Sequence, residues 1–456
     1  MEDTQENIQF QLTDELLTQV EELVAQKDHK SLTRLVGDFH YADIAEIVDE
    51  LSAEDALYVI KLLDSETTSD VLIELDEGNR EKILENLTDK EIAGEVEELD
   101  TDDAADIIAE LPQERRAFVI SNIEDDEHRS EIKELLAYDE DTAGSLMAKE
   151  LVKVYETWTV AGCLRRIRGQ AKDVTRVHSI YVVNKTEQLI GRLSLKDLIV
   201  AKNDQKIADI SKDNVDYVHV NDKVEDVAKV MAKYDLEAIP VLDDNHTLLG
   251  RITIDDILDR VKEEADKDYQ LAAGITQDVE ADDSIIELTR ARLPWLFLGL
   301  LGGIGAFIIM EGFQESFATY AVLFFFTPLI AAMAGNVGVQ SSAIIVQGLA
   351  NNDLRGSVKS RLIKEMLLAA LNGVVLAIVL FLFVWLYNGE IDKAFAISVS
   401  LVAVIIIAGL IGTFVPLFLD KRGIDPAIAT GPFITTSNDI LGILLYFLIA
   451  KFILGI

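Results

Sequence analysis

The chain has 456 residues with 80 acidic against 41 basic side chains, a formal net charge of −39, yet 49% of it is hydrophobic and its mean hydropathy is positive. The two properties belong to different stretches: residues 293–456 hold 9 acidic and 8 basic side chains, and residues 1–292 hold the remaining 71 and 33. A chain this acidic repels phosphate backbones, which argues against nucleic acid as a partner, and one cysteine permits neither an internal disulfide nor a cysteine metal site.

Cys163 reads as a small apolar residue in a helix. The opening Met1-Glu2-Asp3-Thr4 lacks the basic-then-apolar pattern of a cleaved signal peptide, so attachment to the membrane is expected through the C-terminal part. Residues 1–137 read as an acidic, all-α domain. The unit Asp43-Ile44-Ala45-Glu46-Ile47-Val48-Asp49-Glu50-Leu51 returns as Asp103-Ala104-Ala105-Asp106-Ile107-Ile108-Ala109-Glu110-Leu111, with a looser echo at Ile92–Leu99. Such recurrence predicts short helices stacked in a superhelical array. The acidic load of residues 1–292 favours bound cations, because self-repulsion opposes the compact state.

Residues 138–268 contain a pair of repeats. Residues 180–200 align with 239–259 at an offset of 59 without gaps, and Ile180, Val182, Leu189, Gly191, Arg192 and Asp197 match Ile239, Val241, Leu248, Gly250, Arg251 and Asp256. Each copy reads as strand, turn, strand, helix. With the opening Ala143-Gly144-Ser145-Leu146-Met147, the pattern resembles a tandem pair of α/β CBS domains, a module that often senses adenine nucleotides. The resemblance implies that Ser194, Lys196 and Asp197, or Thr253 and Asp256 in the second copy, meet a nucleotide such as ATP.

The acidic segment from Asp255 is expected to run as a helix into the first membrane span, with residues 269–292 as the link. Residues 293–456 then read as an α-helical membrane domain. Five apolar runs, near 293–310, 318–350, 362–387, 394–419 and 427–454, each approach or exceed the roughly 20 residues that cross a bilayer. Pro328 and the polar stretch Gly335–Ser342 predict a kink or partial unwinding in the second span, and Pro432 a loosening of the fifth. Gly299 and Gly303 form a small-residue packing pair in the first. Arg290, Arg292, Arg355, Lys359, Arg361, Lys364, Lys421 and Arg422 fall on one side, against Lys393 and Lys451 on the other. This asymmetry predicts a multi-pass cell (inner) membrane protein with its N-terminus cytoplasmic and its C-terminus outside.

Asp439 lies about 12 residues into the fifth span, roughly 18 Å deep and near the midplane. A carboxylate there costs about 2.5–3.5 kcal/mol even on a lenient scale. Thr435, Thr436 and Asn438 accompany it, and Asn336 and Gln340 lie one turn apart on the second span. With no His or Cys in any span, Asp439, Thr435, Asn336 and Gln340 define a hard-oxygen set suited to Mg2+ or Ca2+. In a symmetric dimer two copies of Asp439 would face one axis and focus cations there.

The order acidic helical domain, CBS pair, linking helix and five spans resembles the MgtE family of magnesium channels across nearly the whole chain. The resemblance is strongest at Gly335-Asn336, Gly338, Gln340-Ser341 and from Asp425-Pro426-Ala427 through Pro432 to Asp439. It implies a homodimer in membrane lipid that admits Mg2+ past Asp439 and closes when cytosolic Mg2+ bridges its soluble domains and the linking, or plug, helix. Glu225, the Ala232 carbonyl, Asp235, Asp256 and Asp259 match regulatory metal positions, as do Glu264 and Asp268 on the linking helix. Four residues depart from the family pattern. Val339 replaces a frequent Asn and Gly431 an Asn before Pro432, which bears on pore hydration, while Lys223 and Lys267 stand where carboxylates are expected, which bears on the regulatory ions. The acidic repeats give no unique register for N-domain ligands.

A coupled carrier or exporter of another divalent cation uses the same pore residues. A membrane-anchored nucleotide or Mg2+ sensor is a third reading, which the midplane Asp439 opposes. The absence of a nucleophile–base constellation or a Walker-type loop argues against an enzyme and against ATP-driven pumping.

Overall fold

The computed structural model describes residues 10–455 except 172–173, 175, 277–278, 280–282, 351–353, 355 and 430. The opening four residues and Arg355 therefore lie outside the described residues. The chain divides into two units, Met1–Lys262 and Glu263–Ile456.

In the first unit the helices of the N-terminal array begin at a fixed interval. His40, Ser52, Asp64, Asp76, Thr88, Asp100 and Pro112 occupy N-cap positions, one every 12 residues, and Asp125 follows 13 later. Ser52, Asp64, Thr88 and Asp125 accept a first-turn backbone N–H on the side chain, and Thr88 completes a capping box with Glu91. Leu51, Leu63, Leu75, Leu87, Leu99, Leu111 and Ile123 keep the same spacing and pack in the core. Helices two apart pack together, as Tyr41–Asp49 does on Ser65–Glu74 and Ser65–Glu74 on Asp89–Val96. Arginines close the helix ends: Arg115 donates to the Leu84 and Leu87 carbonyls at 2.8 and 2.6 Å and pairs with Asp89 at 2.8 Å. Arg80 likewise joins the Ile73 carbonyl, at 2.9 Å, to Glu110, at 3.0 Å.

The CBS copies repeat each other strand for strand. In the first, Val152–Tyr155 runs parallel to Ile180–Val183, which pairs antiparallel with Leu189–Leu193. In the second, Val218–His219, Ala238–Leu242 and Leu248–Thr253 do the same. The pairs Val182–Gly191 and Val241–Gly250 are equivalent at the offset of 59, and a register shift follows each. The copies meet through Tyr181, Val183, Leu242 and Leu248. Residues Ala143 to Ala148, which precede the first copy in sequence, bond to the second instead: Ala143 N–H donates to Asp222 at 2.8 Å and Gly144 N–H to Val220 at 2.9 Å. Cys163 is fully buried in the helix Val160–Gln170, and burial pushes its thiol up to about 11.

Among the described residues the second unit holds five helices long and apolar enough to cross a membrane: Ile285–Phe313, Val322–Ala350, Val358–Tyr387, Ile391–Asp420 and Gly431–Leu454. The fourth is 56% buried over its most apolar window and the first 6%, which places the fourth at the centre of the unit and the first at its edge. Four expectations need correction. The helix from Ile254 ends at Ala273, Gly274 turns at φ +83°, and span one begins afresh at Ile285 behind a Ser284–Glu287 capping box. Span two breaks at Phe326, beside Pro328 as expected, but Gly335–Ser342 stays helical rather than unwinding. Pro432 sits in the first turn of span five, where its missing N–H leaves no helical bond unmade. The close contacts of span one fall at Gly302, against Thr436, and Gly305, against Ile440, rather than at Gly299 and Gly303.

Candidate ion path and cation-binding clusters

Spans two, four and five approach closely because glycine lines their contacts. A Cβ on Gly412 would strike the Gly338 carbonyl, and one on Gly338 would strike the Asn438 amide. One turn away, Gly335 faces span five: its missing Cβ position lies 3.2 Å from Thr435 Cγ2 and 3.7 Å from Asp439 Oδ1. Asp439 and Thr435 are half-buried beside this glycine, while Asn336 and Gln340 are exposed on the surface of the chain. The Thr435 hydroxyl donates to the Gly431 carbonyl at 2.9 Å, which aims its lone pairs away from that bond. Gly431 has φ +49° and no room for a Cβ against the Ala272 carbonyl, so the end of the linking helix rests on the start of span five.

Two further polar groups of this unit stand outside the set Asp439, Thr435, Asn336 and Gln340. Asn438 is fully buried with neither side-chain atom hydrogen-bonded. Glu365 accepts from Ser341 Oγ at 2.6 Å. Asn438 was visible in the sequence as the neighbour of Asp439.

In the first unit, carboxylates gather where the helix Thr101–Glu110 meets the second CBS copy. Oxygens of Asp100, Asp102 and Glu150 lie within 4.8 Å of one another. Burial, then repulsion from Glu150, raises Asp100 to about 6 against the pull of Arg251. Burial, then Asp256, raises Asp103 to about 8. Asp102, buried beside Asp103 and Asp256, is held well above the carboxylate range, and its Oδ1 has no hydrogen bond. Arg251 answers part of this charge: Nε donates to the Glu150 carbonyl at 2.5 Å, and a terminal nitrogen lies 3.5 Å from Asp100. Like-charged oxygens enclosed this way become a stable arrangement when protons or hard cations enter.

Of the regulatory positions the resemblance implied, Asp256 belongs to this cluster. Thr253 N–H and Oγ1 donate to its Oδ2 at 3.0 and 2.5 Å, as Ser194 N–H and Oγ do to Asp197 at 3.0 and 2.7 Å in the first copy. Asp259, exposed on the same helix, raises Glu74 of the array by repulsion after burial. Glu264 and Asp268 follow on that helix. Glu225 pairs with Lys229 at 3.3 Å, and Ala232 is exposed near the end of their helix. Asp235 caps that helix at φ 50° and lines a cavity of about 300 Å3 with Ser194, Asp197, Arg192, Lys212 and His178. Lys196 lies outside this lining. Asp100, Asp102 and Asp103 carry no distinguishing signal in the sequence, since acidic residues in an amphipathic helix read as a solvated face until another domain covers them.

These features define a multi-pass membrane protein with a helical array and a CBS pair ahead of five spans. Family models match in three stretches: a divalent cation transporter model at residues 327–449, the MgtE intracellular N domain at 39–141 and CBS domains at 143–204 and 207–263. The chain is 36% identical over 318 residues to the magnesium transporter MgtE of Enterococcus faecalis, covering 70% of each. It is 36% identical over 323 residues to that of Thermus thermophilus, covering 70% of this chain and 72% of the relative. A crystal structure of the cytosolic domain of the Mg2+ channel MgtE in complex with ATP matches 54% of this chain and 99% of its own at 33% identity and a TM-score of 0.51. The soluble part of a magnesium transporter matches 55% and 99% at 31% identity and a TM-score of 0.50. The chain belongs to the MgtE family.

Proposed function

We propose that this protein moves Mg2+ through the membrane into the cytoplasm, along a path between two copies of the chain on which Asp439, Thr435, Asn336 and Gln340 bear. The observation that carries the reading is Asp439, a carboxylate within an apolar span, set beside a threonine and a glycine that lets spans two and five approach closely. An acidic path attracts cations, and hydrogen-bonding oxygens hold the water shell that Mg2+ gives up reluctantly.

In this reading residues 1–137 and 138–268 sense Mg2+, residues 269–292 link, and residues 293–456 conduct. Mg2+ at Asp100, Asp102, Asp103 and Asp256 holds the array against the second CBS copy. The remaining positions, Glu225, Ala232, Asp235, Asp259, Glu264 and Asp268, add ions that fix the linking helix and close the path. The cavity at Ser194 and Asp197 takes ATP as a modulator, with the two side chains toward the ribose and Lys196 at its margin. The excess of Lys and Arg flanking one end of the spans supports a cytoplasmic N-terminus.

The test is Mg2+ flux into liposomes, comparing wild type with Asp439→Ala at low and high Mg2+ on the side of the soluble domains. Flux that requires Asp439 and falls as Mg2+ rises is the expected result. Equal flux in both proteins overturns the path, and flux indifferent to Mg2+ overturns the closing mechanism.

A further inference from the structure

Next to the carboxylate cluster lies a group of different chemistry. His128 and Glu131 stand three residues apart on the helix Asp126–Leu135, so their side chains share a face. Glu150 reaches them from the segment leading into the first CBS strand. One ring nitrogen of His128 and one oxygen of each glutamate lie within 4.8 Å of one another, and all three residues are half-buried.

Neighbouring backbone holds the group in place. His128 Nε2 donates to the Val96 carbonyl at 3.3 Å, and Glu150 accepts from the Thr101 N–H and hydroxyl at 3.2 and 2.9 Å. An imidazole that gives one N–H to a carbonyl has its tautomer and ring orientation fixed, which is the support metal-bound histidines receive. The Mg2+ reading makes no use of His128, because Mg2+ favours oxygen ligands in near-octahedral array.

We infer that His128, Glu131 and Glu150 form a separate site for a borderline first-row divalent cation such as Zn2+, Mn2+ or Co2+. One nitrogen and two carboxylates, with further positions open to water, suit these ions. The bound ion fastens the last helix of the array to the CBS pair, beside the ion pair of Lys149 with Glu134 at 2.7 Å. Glu150 also belongs to the group with Asp100 and Asp102, so filling either site changes the charge the other presents, and the two occupancies are coupled. The binding claim stands apart from the transport reading, since its test measures no flux.

The experiment is calorimetric titration of Zn2+ into the full-length protein in millimolar Mg2+, which fills the all-oxygen sites first. Wild type is expected to bind one more Zn2+ per chain than His128→Gln, or to bind it at least about tenfold more tightly. Glu131→Gln is expected to lose the same event. Equal Zn2+ binding by wild type, His128→Gln and Glu131→Gln overturns the site, as does complete suppression of the event in wild type by millimolar Mg2+. Metal-free unfolding temperatures of the variants equal to wild type show that the loss is one of ligation; if His128→Gln fails to fold, Glu131→Gln decides the matter by the same readout.

Discussion

The two units hold their carboxylates under opposite regimes. Between the array and the second CBS copy, Asp100, Asp102, Asp103, Glu150 and Asp256 are pressed together, and Arg251 offsets only part of their charge. In the membrane unit Glu365 has its own hydrogen bond from Ser341, and Asp439 stands beside Thr435 and Gly335. Charge in the first unit is collective, so removing one member shifts a balance. Charge in the spans is carried by individual side chains, so each substitution acts on its own.

The largest expected effect tests the second half of that contrast. Asp439→Ala should lower Mg2+ flux at least about 100-fold, the scale of losing a charge interaction worth about 3 kcal/mol, while the protein elutes as wild type; residual flux near wild type would place the path elsewhere. Next comes the collective cluster. Asp102→Asn with Asp103→Asn should move inhibition to about tenfold higher Mg2+ and stabilise the metal-free first unit by about 1–3 kcal/mol, because Asn has no charge to neutralise on folding; flux at graded Mg2+ checks the first and thermal unfolding of the metal-free protein the second. Unchanged inhibition would show that the closing ions sit on other residues.

Protons should imitate the cation more weakly. Asp100 and Asp103 titrate near 6 and 8 when folded, against a usual 3.8, so folding favours their protonated forms. Their contribution to stability is complete below about pH 4 and is lost as pH rises through 6 and 8. Metal-free protein should therefore protect the helix Thr101–Glu110 from hydrogen exchange better at pH 5 than at pH 8, with Mg2+ flattening the difference; equal protection without metal would remove the cluster from the account. The smallest effect tests a backbone position. Gly431→Ala should destabilise the second unit by about 1–2 kcal/mol, since its φ is positive and Ala272 occupies the space of a Cβ; an unchanged unfolding temperature would contradict that contact.

Much of the architecture was legible because apolar runs and a gapless repeat leave strong traces. The five spans and the offset of 59 between CBS copies stand as read. The break at Gly274 was hidden, because the acidic residues before it and the polar residues after it fit one helical pattern equally well. Asp439 was legible from the apolar residues around it, whereas Asp102 became distinctive only when long-range packing buried it. Gly302 and Gly305 are not distinguishable from Gly299 and Gly303 in the sequence, since spacing alone does not tell which face of an edge helix meets a neighbour.

The interval of the array also escaped the comparison of residues 43–51 with 103–111, which lie five rungs apart. What recurs is a leucine and a cap, from Leu51-Ser52 to Leu111-Pro112, while the helical residues between vary freely. That economy has a consequence for how such a chain can change length. Because alternate helices pack together, removing a single rung of 12 residues would exchange the two layers, but removing two would return every later helix to its own layer. A chain shortened by two rungs ahead of the helix Thr101–Glu110 is therefore expected to keep Asp102 in its own layer, and one shortened by a single rung is not.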